Sequence, residues 1–475
     1  MTAPIDSRNV EVLTPSEDSE KNVENNISTG NYKTEFSRKT VESLGNKVRI
    51  TDKDEATGLE LFCYVKCGRD DDFIMSNCRG VVFHGNNIIM RAFPYTVEYD
   101  HTEEKNIYNS IQESFKDSFC YDSQEGTLIR MFYFSGKWYT STHRKLNAFR
   151  SRWSSNESFG NSFKRALESE IENNVVLRDS LDESIEGTLE RFQNILDKSK
   201  QYMFLVKNNE ENRIVCDSPS RPTLFHVGTF VKRELVMTEN INVPSPRKHI
   251  FSNVEELIKY VKNADIREIQ GVIVFSPNNK QYKIVNKNYK ELFDVRGNEP
   301  SIKFRYLQVR MNSSYLNRLY DLYPNMYLQF EDYENAIFSI AKNIYNSYVQ
   351  RFIKKMWVTV STEEYNVIRA CHSWHEKNRK ENRINLEKVI EKLNEQTATN
   401  INKMIRLYKS QKKRINEQQN NKEDNKEDNN EDNEQQNNNE DNEQQNNNED
   451  NEQQNNNEDN EQQNNNEDNE QQNNK

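Results

Sequence analysis

The sequence predicts an α+β protein, and three observations carry that expectation. From residue 48 to about 309, short β-branched and aromatic runs dominate: LFCYVKC, CRGVVFHGNNIIMRAF, TLIRMFYFSGKWYTS, YMFLV, NRIVCD, IQGVIVF and QYKIVN. Turn-forming pairs such as Gly85-Asn86, Ser135-Gly136 and Asn278-Asn279 separate them, so the strands are expected to pair largely antiparallel. After Arg310 the apolar spacing changes to three and four, the helical period.

Helical stretches also interrupt the strands. Residues 158–169 form one, and residues 253–263 form another, opening on the capping residue Asn253 and placing Val254, Leu257, Ile258 and Val261 on one face. Beyond 310, LNRLYDLYPNMYLQF, YENAIFSIAKNIYNSYVQRFIKKMW and EEYNVIRACHSWHEKNRK read as amphipathic helices, with a capping box at Ser361-Thr-Glu-Glu364. Residues 386–393 and 401–408 add two more. The expected organisation is a polar, mobile leader (1–40), a sheet-rich domain (41–310), a helical domain with a basic end (311–415) and a tail (416–475).

The tail holds no apolar residue, and NEDNEQQNN recurs in it with period nine, placing Glu at 431, 440, 449, 458 and 467. Such a segment cannot bury enough apolar surface to fold. It carries 20 acidic and 3 basic residues, so residues 1–415 hold 62 basic against 56 acidic side chains, a net of +6 within a chain of −11. The body is mildly basic and tolerates an anionic partner such as RNA or DNA. Residues 376–415 carry a net of +7 immediately before the reversal at Asn416. A solvated basic helix beside an acidic tail is one reading; competition of the tail for a basic nucleic-acid surface is the other.

Six cysteines (63, 67, 78, 120, 216 and 371) show no paired framework, and no apolar signal segment opens the chain, so reduced thiols and an intracellular, soluble protein are expected. No apolar run reaches membrane-span length. Cys63, Cys67 and Cys78 lack a fourth ligand at finger-like spacing, and His372 and His375 in CHSWH, one turn apart, lack a partner by spacing; no metal site is assigned.

Five segments carry a resemblance when taken in order. They are CRGVVFHGNNIIMRAFP (78–94), SQEGTLIR (123–130), YMFLV with ENRIV (202–215), IQGVIVF (269–275) and YKIVNKNYKELFDVRG (282–297). Together they resemble the phage-type ATP-dependent RNA ligases of the covalent nucleotidyltransferase superfamily. The resemblance implies an antiparallel-sheet nucleotidyltransferase domain, with ATP and magnesium as cofactors if the protein is active.

Carried over residue by residue, the family's functional groups are missing. Ser123 stands where the resemblance puts the lysine nucleophile, Phe204 or Leu205 where it puts an acid, Gln270 in place of a glutamate and Val285 in place of a second lysine. Arg79, Gly80, Glu125, Gly126, Arg130, Gly271, Lys283, Tyr289 and Arg296 remain. A serine hydroxyl would need a base beside it, and its nucleotide ester differs from a lysine phosphoramidate. Lys145 and Lys283 are the candidates for a displaced nucleophile.

The resemblance assigns nucleotide binding to Arg79, Glu125, Gly126, Arg130, Gln270 and Lys283. The basic cluster His143, Arg144, Lys145, Arg150 and Arg152, interleaved with Trp138, Tyr139, Phe149 and Trp153, reads either as a nucleic-acid-binding patch or as a solvated basic edge. Three functional readings result: a degenerate RNA-ligase-like pseudoenzyme that binds nucleotide or RNA without covalent adenylylation, an active RNA ligase with a displaced lysine, and a structural or assembly protein on the same scaffold. The Asn-rich, repeat-tailed style also resembles proteins of AT-rich giant DNA viruses, which implies a viral protein of host cytoplasm or virion.

Overall fold

Period-two alternation along the β-rich half gives each strand two different faces, and the chain uses them to build three sheets. The computed structural model describes residues 36–208, 213–277 and 279–427, with side chains as far as 417. The expected leader lies mostly, and the acidic repeats from residue 428 wholly, outside the described residues.

The strands are β1 (Val48–Asp54), β2 (Leu59–Tyr64), β3 (Arg79–His84), β4 (Asn87–Met90), β5 (Val97–Asp100), β6 (Phe119–Ser123) and β7 (Thr127–Phe134). They continue as β8 (Lys137–Ser141), β9 (Gln201–Lys207), β10 (Thr223–Val231), β11 (Glu234–Val236), β12 (Lys248–His249), β13 (Gly271–Ser276) and β14 (Lys280–Val285). The first sheet runs β1-β2-β3-β4, the second β11-β10-β9-β7-β8 and the third β12-β6-β13-β14-β5. All pairs are antiparallel except β14 with β5.

In the second sheet, Ile129, Met131, Tyr202, Phe204 and Val206 face a helical layer, where they pack with Phe163, Ala166, Leu167 and Phe192. Helix Phe159–Asn173 supplies three of those partners and is capped by the Ser158 side chain. In the third sheet, Cys120, Val272, Val274, Tyr282 and Ile284 pack on helices Glu104–Ile111 and Val254–Asn263. Each such side chain contributes about 1.5–3 kcal/mol on burial. Both sheets therefore put one face on helices, and part of each opposite face lines a cleft. A further core joins Leu61 and Val82 of the first sheet to Phe132, Met203 and Phe230 of the second.

The C-terminal helices, from Ile302–Val309 onward, share a core with Val215, Cys216, Val285 and Tyr289. Ser361 forms its capping box with Glu364. No helix among the described residues is long and apolar enough to cross a membrane. The six cysteines are buried and form no disulfide.

Three expectations need correction. NRIVCD is not a strand: residues 214–216 run as bends, because their backbone N–H groups go to a side chain rather than to a neighbouring strand. LNRLYDLYPNMYLQF is not one helix; Pro324, which lacks an N–H, starts a 3₁₀ turn between helices Ser313–Leu322 and Tyr327–Tyr348. Helix Ala398–Glu427 runs past residue 416, where the sequence places the start of the unfolded tail. Once Ile401, Met404 and Ile405 anchor it in the core, each further residue adds a backbone bond without a new nucleation cost.

His226 gives the fold a pH dependence. Buried on β10 with Nε2 2.9 Å from Thr229 Oγ1, it is pushed down to about 4, chiefly by burial. Its folded value lies below its unfolded one, so acidification favours the unfolded chain from about pH 6.5 down to about pH 4. Denaturant titrations are expected to show a loss of about 2 kcal/mol between pH 7.5 and pH 5 from this group. His226→Gln should remove that part of the pH dependence.

Candidate functional site: a cationic cleft between two sheets

A cleft of about 540 Å³ opens between the free faces of the second and third sheets. Alternation decides what reaches it. On β6 and β13, Tyr121, Ser123, Ile273 and Phe275 line the wall; on β14, Gln281 and Lys283; on β9, Leu205 and Lys207. Of the two alignments open at the missing acid, Leu205 faces the cleft, whereas Phe204 is wholly buried against the helices.

Ser123 sits at the end of β6, with its Oγ 3.5 Å from Gln270 Oε1. That oxygen also accepts a hydrogen bond of 3.1 Å from Lys283 Nζ, and Lys283 forms an ion pair with Glu98 on the parallel neighbour β5. The serine therefore has an amide beside it rather than a base, and the Lys283 amine is held by a carboxylate. Val285 is fully buried in the helical core, not at the cleft.

Glu125 lines the cleft but spends its carboxylate on the chain. It accepts from the N–H groups of Ile214 (3.3 Å), Val215 (2.8 Å) and Cys216 (3.0 Å). Tyr289 also bonds it; burial, then the Glu125 charge, pushes the tyrosine hydroxyl well above its usual value and keeps it a donor. Gly126 is required next door, because a Cβ there would lie 2.5 Å from the carbonyl oxygen of Val206.

Arg130 does not line the cleft. Wholly buried, it donates to the carbonyl oxygens of Gly80 and Thr142 and so ties β7 to β3 and to the segment after β8. Gly80 has φ of +80°, and a Cβ there would meet His143 O at 2.5 Å. The basic cluster is divided. His143, Arg144 and Arg152 line the cleft with Arg79; Lys145 and Arg150 do not. His143 Nε2 is buried without a hydrogen-bond partner among the described residues. Burial, then the charges of Arg79, Arg144 and Arg130, pushes its imidazole well below the usual value, so it is neutral near pH 7.

Sequence reasoning missed several wall residues. Lys207 Nζ lies 3.4 Å from Gln124 Oε1 and 3.5 Å from Glu268 O. Extending the alternation of YMFLV by one residue would have placed it with Leu205. Glu98 could not be found that way, since its contact with Lys283 depends on the β14–β5 pairing across nearly 200 residues of chain. Asp122 accepts from Tyr260 OH (2.9 Å) and contacts His249 Nε2 (2.7 Å), again through pairing the sequence does not spell out. Burial, then Asp122, pushes the Tyr260 hydroxyl up to about 12.

The wall carboxylates are dispersed. Glu98 pairs with Lys283, Asp217 with Arg213 and Glu239 with Lys200, while Asp122 and Glu125 are engaged as above. No group of three His, Cys, Asp or Glu side chains among the described residues could hold a metal ion, so these carboxylates do not fit a protein-bound magnesium. In CHSWH, His372 stacks on Phe352 at 3.9 Å and His375 Nδ1 lies 2.6 Å from Asn382 O.

Fold and site together define an α+β protein with a cation-lined cleft between two helix-backed sheets. The chain belongs to the ICP-46 immediate-early protein family. It is 30% identical over 321 residues to the ICP-46 homolog of invertebrate iridescent virus 3, covering 66% of this chain and 68% of that one. It is 28% identical over 362 residues to the homolog of invertebrate iridescent virus 6, covering 72% and 77%. The ICP-46 protein of frog virus 3 (isolate Goorha) is 27% identical over 265 residues, covering 54% and 64%. These relatives are viral, as the resemblance of the repeat-tailed sequence implies.

No family model matches the chain. Among solved structures it is similar to a putative ATP-dependent DNA ligase from Aquifex aeolicus, at 18% identity and a TM-score of 0.34 over 61% of this chain and 71% of that one. It is also similar to an archaeal ATP-dependent RNA ligase, at 14% and 0.33 over 59% and 68%.

The Glu125 hub is testable by hydrogen exchange. Glu125→Ala strands three N–H groups and is expected to cost about 3 kcal/mol, with faster amide exchange at residues 214–216. Glu125→Gln, which keeps an acceptor oxygen, should recover part of both.

Proposed function

We propose that the cleft binds a nucleotide, or the phosphate-bearing end of an RNA, without forming a covalent nucleotidyl link. The observation that supports this is the charge balance of the wall. Each wall carboxylate is engaged with a partner of its own, and Arg79, Arg144, Arg152 and Lys207 bring four cationic side chains to the same cleft, a lining suited to a polyanion. Buried polar atoms without partners among the described residues, His143 Nε2, Ser218 Oγ and Gln281 Nε2, also lie on residues of this cleft. Each such atom costs about 1–3 kcal/mol unless something satisfies it, which a polar ligand would do.

The same geometry supports the absence of covalent transfer. Ser123 has an amide rather than a base beside it among the described residues, Lys283 is tied to Glu98 and Gln270, and Lys145 is off the wall. One observation favours the alternative of a displaced nucleophile: Lys207 brings an amine to the cleft near Gln124, next to Ser123. In that case ATP or GTP, with magnesium carried on its phosphates, would be the nucleotide donor. The relatives are named immediate-early proteins, and for this chain we take that to mean production early in viral infection, in host cytoplasm or virion.

Two measurements test the reading. Equilibrium binding of ATP, GTP and a 5′-phosphorylated single-stranded RNA should be detectable at low salt and weaken as salt rises; Arg79→Ala with Arg144→Ala should weaken it about tenfold or more. Incubation with α-labelled ATP or GTP and magnesium should leave no label on the denatured protein. A labelled protein that loses its label in Lys207→Ala would establish the alternative, and no binding at low salt would leave the scaffold reading.

A further inference from the structure

The cleft also contains a group suited to choosing among nucleotides. Gln281 is 3% exposed and points to the cleft from β14, two residues before Lys283 on the same face. Its Oε1 accepts the Thr96 hydroxyl at 3.2 Å, but its Nε2 has no partner among the described residues. A half-satisfied buried amide is uncommon in a folded protein and marks a place where another acceptor belongs.

The surroundings favour a nucleobase as that acceptor. Phe275 pairs across the strands with Gln281, and its ring meets Phe93 at 5.6 Å and Tyr121 at 6.0 Å. Phe93, Tyr121, Ile273, Phe275 and Met237 all line this part of the cleft, giving one apolar sector. Lys283, the cation on the same face of this strand, is already held by Glu98 and Gln270. A flat apolar ring carrying an edge acceptor suits that sector, and a phosphate does not.

We propose that Gln281 is the specificity-determining residue of the nucleotide site and reads the base through its Nε2–H. Because Thr96 occupies the amide oxygen, the free group is a donor, so the preferred partner is a base presenting a carbonyl oxygen on its pairing edge, as guanine and uracil do. Adenine and cytosine present an amino group at the corresponding place and set donor against donor. This inference rests on the nucleotide-binding reading above.

The test is competition binding on the full chain with ATP, GTP, CTP, UTP and inorganic tripolyphosphate. The wild-type protein is expected to bind GTP and UTP about tenfold more tightly than ATP and CTP. In Gln281→Ala that ratio should fall to near one while tripolyphosphate binding stays unchanged, which also shows that the variant cleft is folded. A wild-type protein that binds all four alike, or a variant that keeps the wild-type ratio, overturns the proposal. So does a variant that loses affinity equally for the four nucleotides and tripolyphosphate, since Gln281 would then touch phosphate. A wild-type protein that binds none of the five ligands overturns the nucleotide-binding reading instead.

Discussion

The structure around the cleft depends on one carboxylate. Glu125 sits in the turn between β6 and β7, where the third sheet hands the chain to the second, and gathers three backbone N–H groups from residues 214–216. Tyr323 OH donates to the carbonyl oxygens of Arg213 (2.9 Å) and Ile214 (2.8 Å), and Arg296 Nε donates to Tyr323 OH at 3.0 Å. Residues 213–216 are thus held from the sheet side by a carboxylate and from the helical side by a tyrosine. Val215 and Cys216 then enter the helical core. Without the carboxylate, a segment that forms no strand ladder would have no other way to satisfy its N–H groups away from water.

That arrangement gives the acid and the glycine of SQEGTLIR a structural role that Ser123 does not share. Glu125 and Gly126 are needed to fold the chain: one satisfies buried N–H groups, the other lets the turn approach Val206. Arg130 serves the same end by joining two carbonyl oxygens inside the core. Ser123, Gln270 and Leu205 face the cleft and support no neighbouring element in a comparable way. Within SQEGTLIR, the side chains that build the scaffold are therefore those of Glu125 and Arg130, with Gly126 making room for the turn.

Much of the fold was legible because it rests on local periodicity. The alternating runs in TLIRMFYF and YMFLV separate a helix-facing set from one shared between the cleft and the core with the first sheet, and Asn253, Ser158 and Ser361 mark helix starts as cap chemistry predicts. The site was legible only in part. Ser123, Gln270, Lys283 and Arg79 could be placed together through ordered motifs, but the roles of Glu98 and Gln281 depend on pairing between distant strands. NRIVCD misled because a β-branched run signals burial and extension, whereas pairing depends on where its N–H groups find acceptors. Lys145 and Arg150 lie off the cleft that Arg144 and Arg152 line, because a run of basic residues crossing a turn sends its side chains in different directions.

Binding without covalent transfer is the central claim, and a crystal structure of the full chain grown with GTP and magnesium tests it most directly. The account predicts an intact nucleotide in the cleft, its phosphates among Arg79, His143 and Arg144, with no density joining the α-phosphorus to any side chain. Continuous density from the α-phosphorus to the amine of Lys207 or Lys283, or a nucleotide bound elsewhere with the cleft empty, would contradict it.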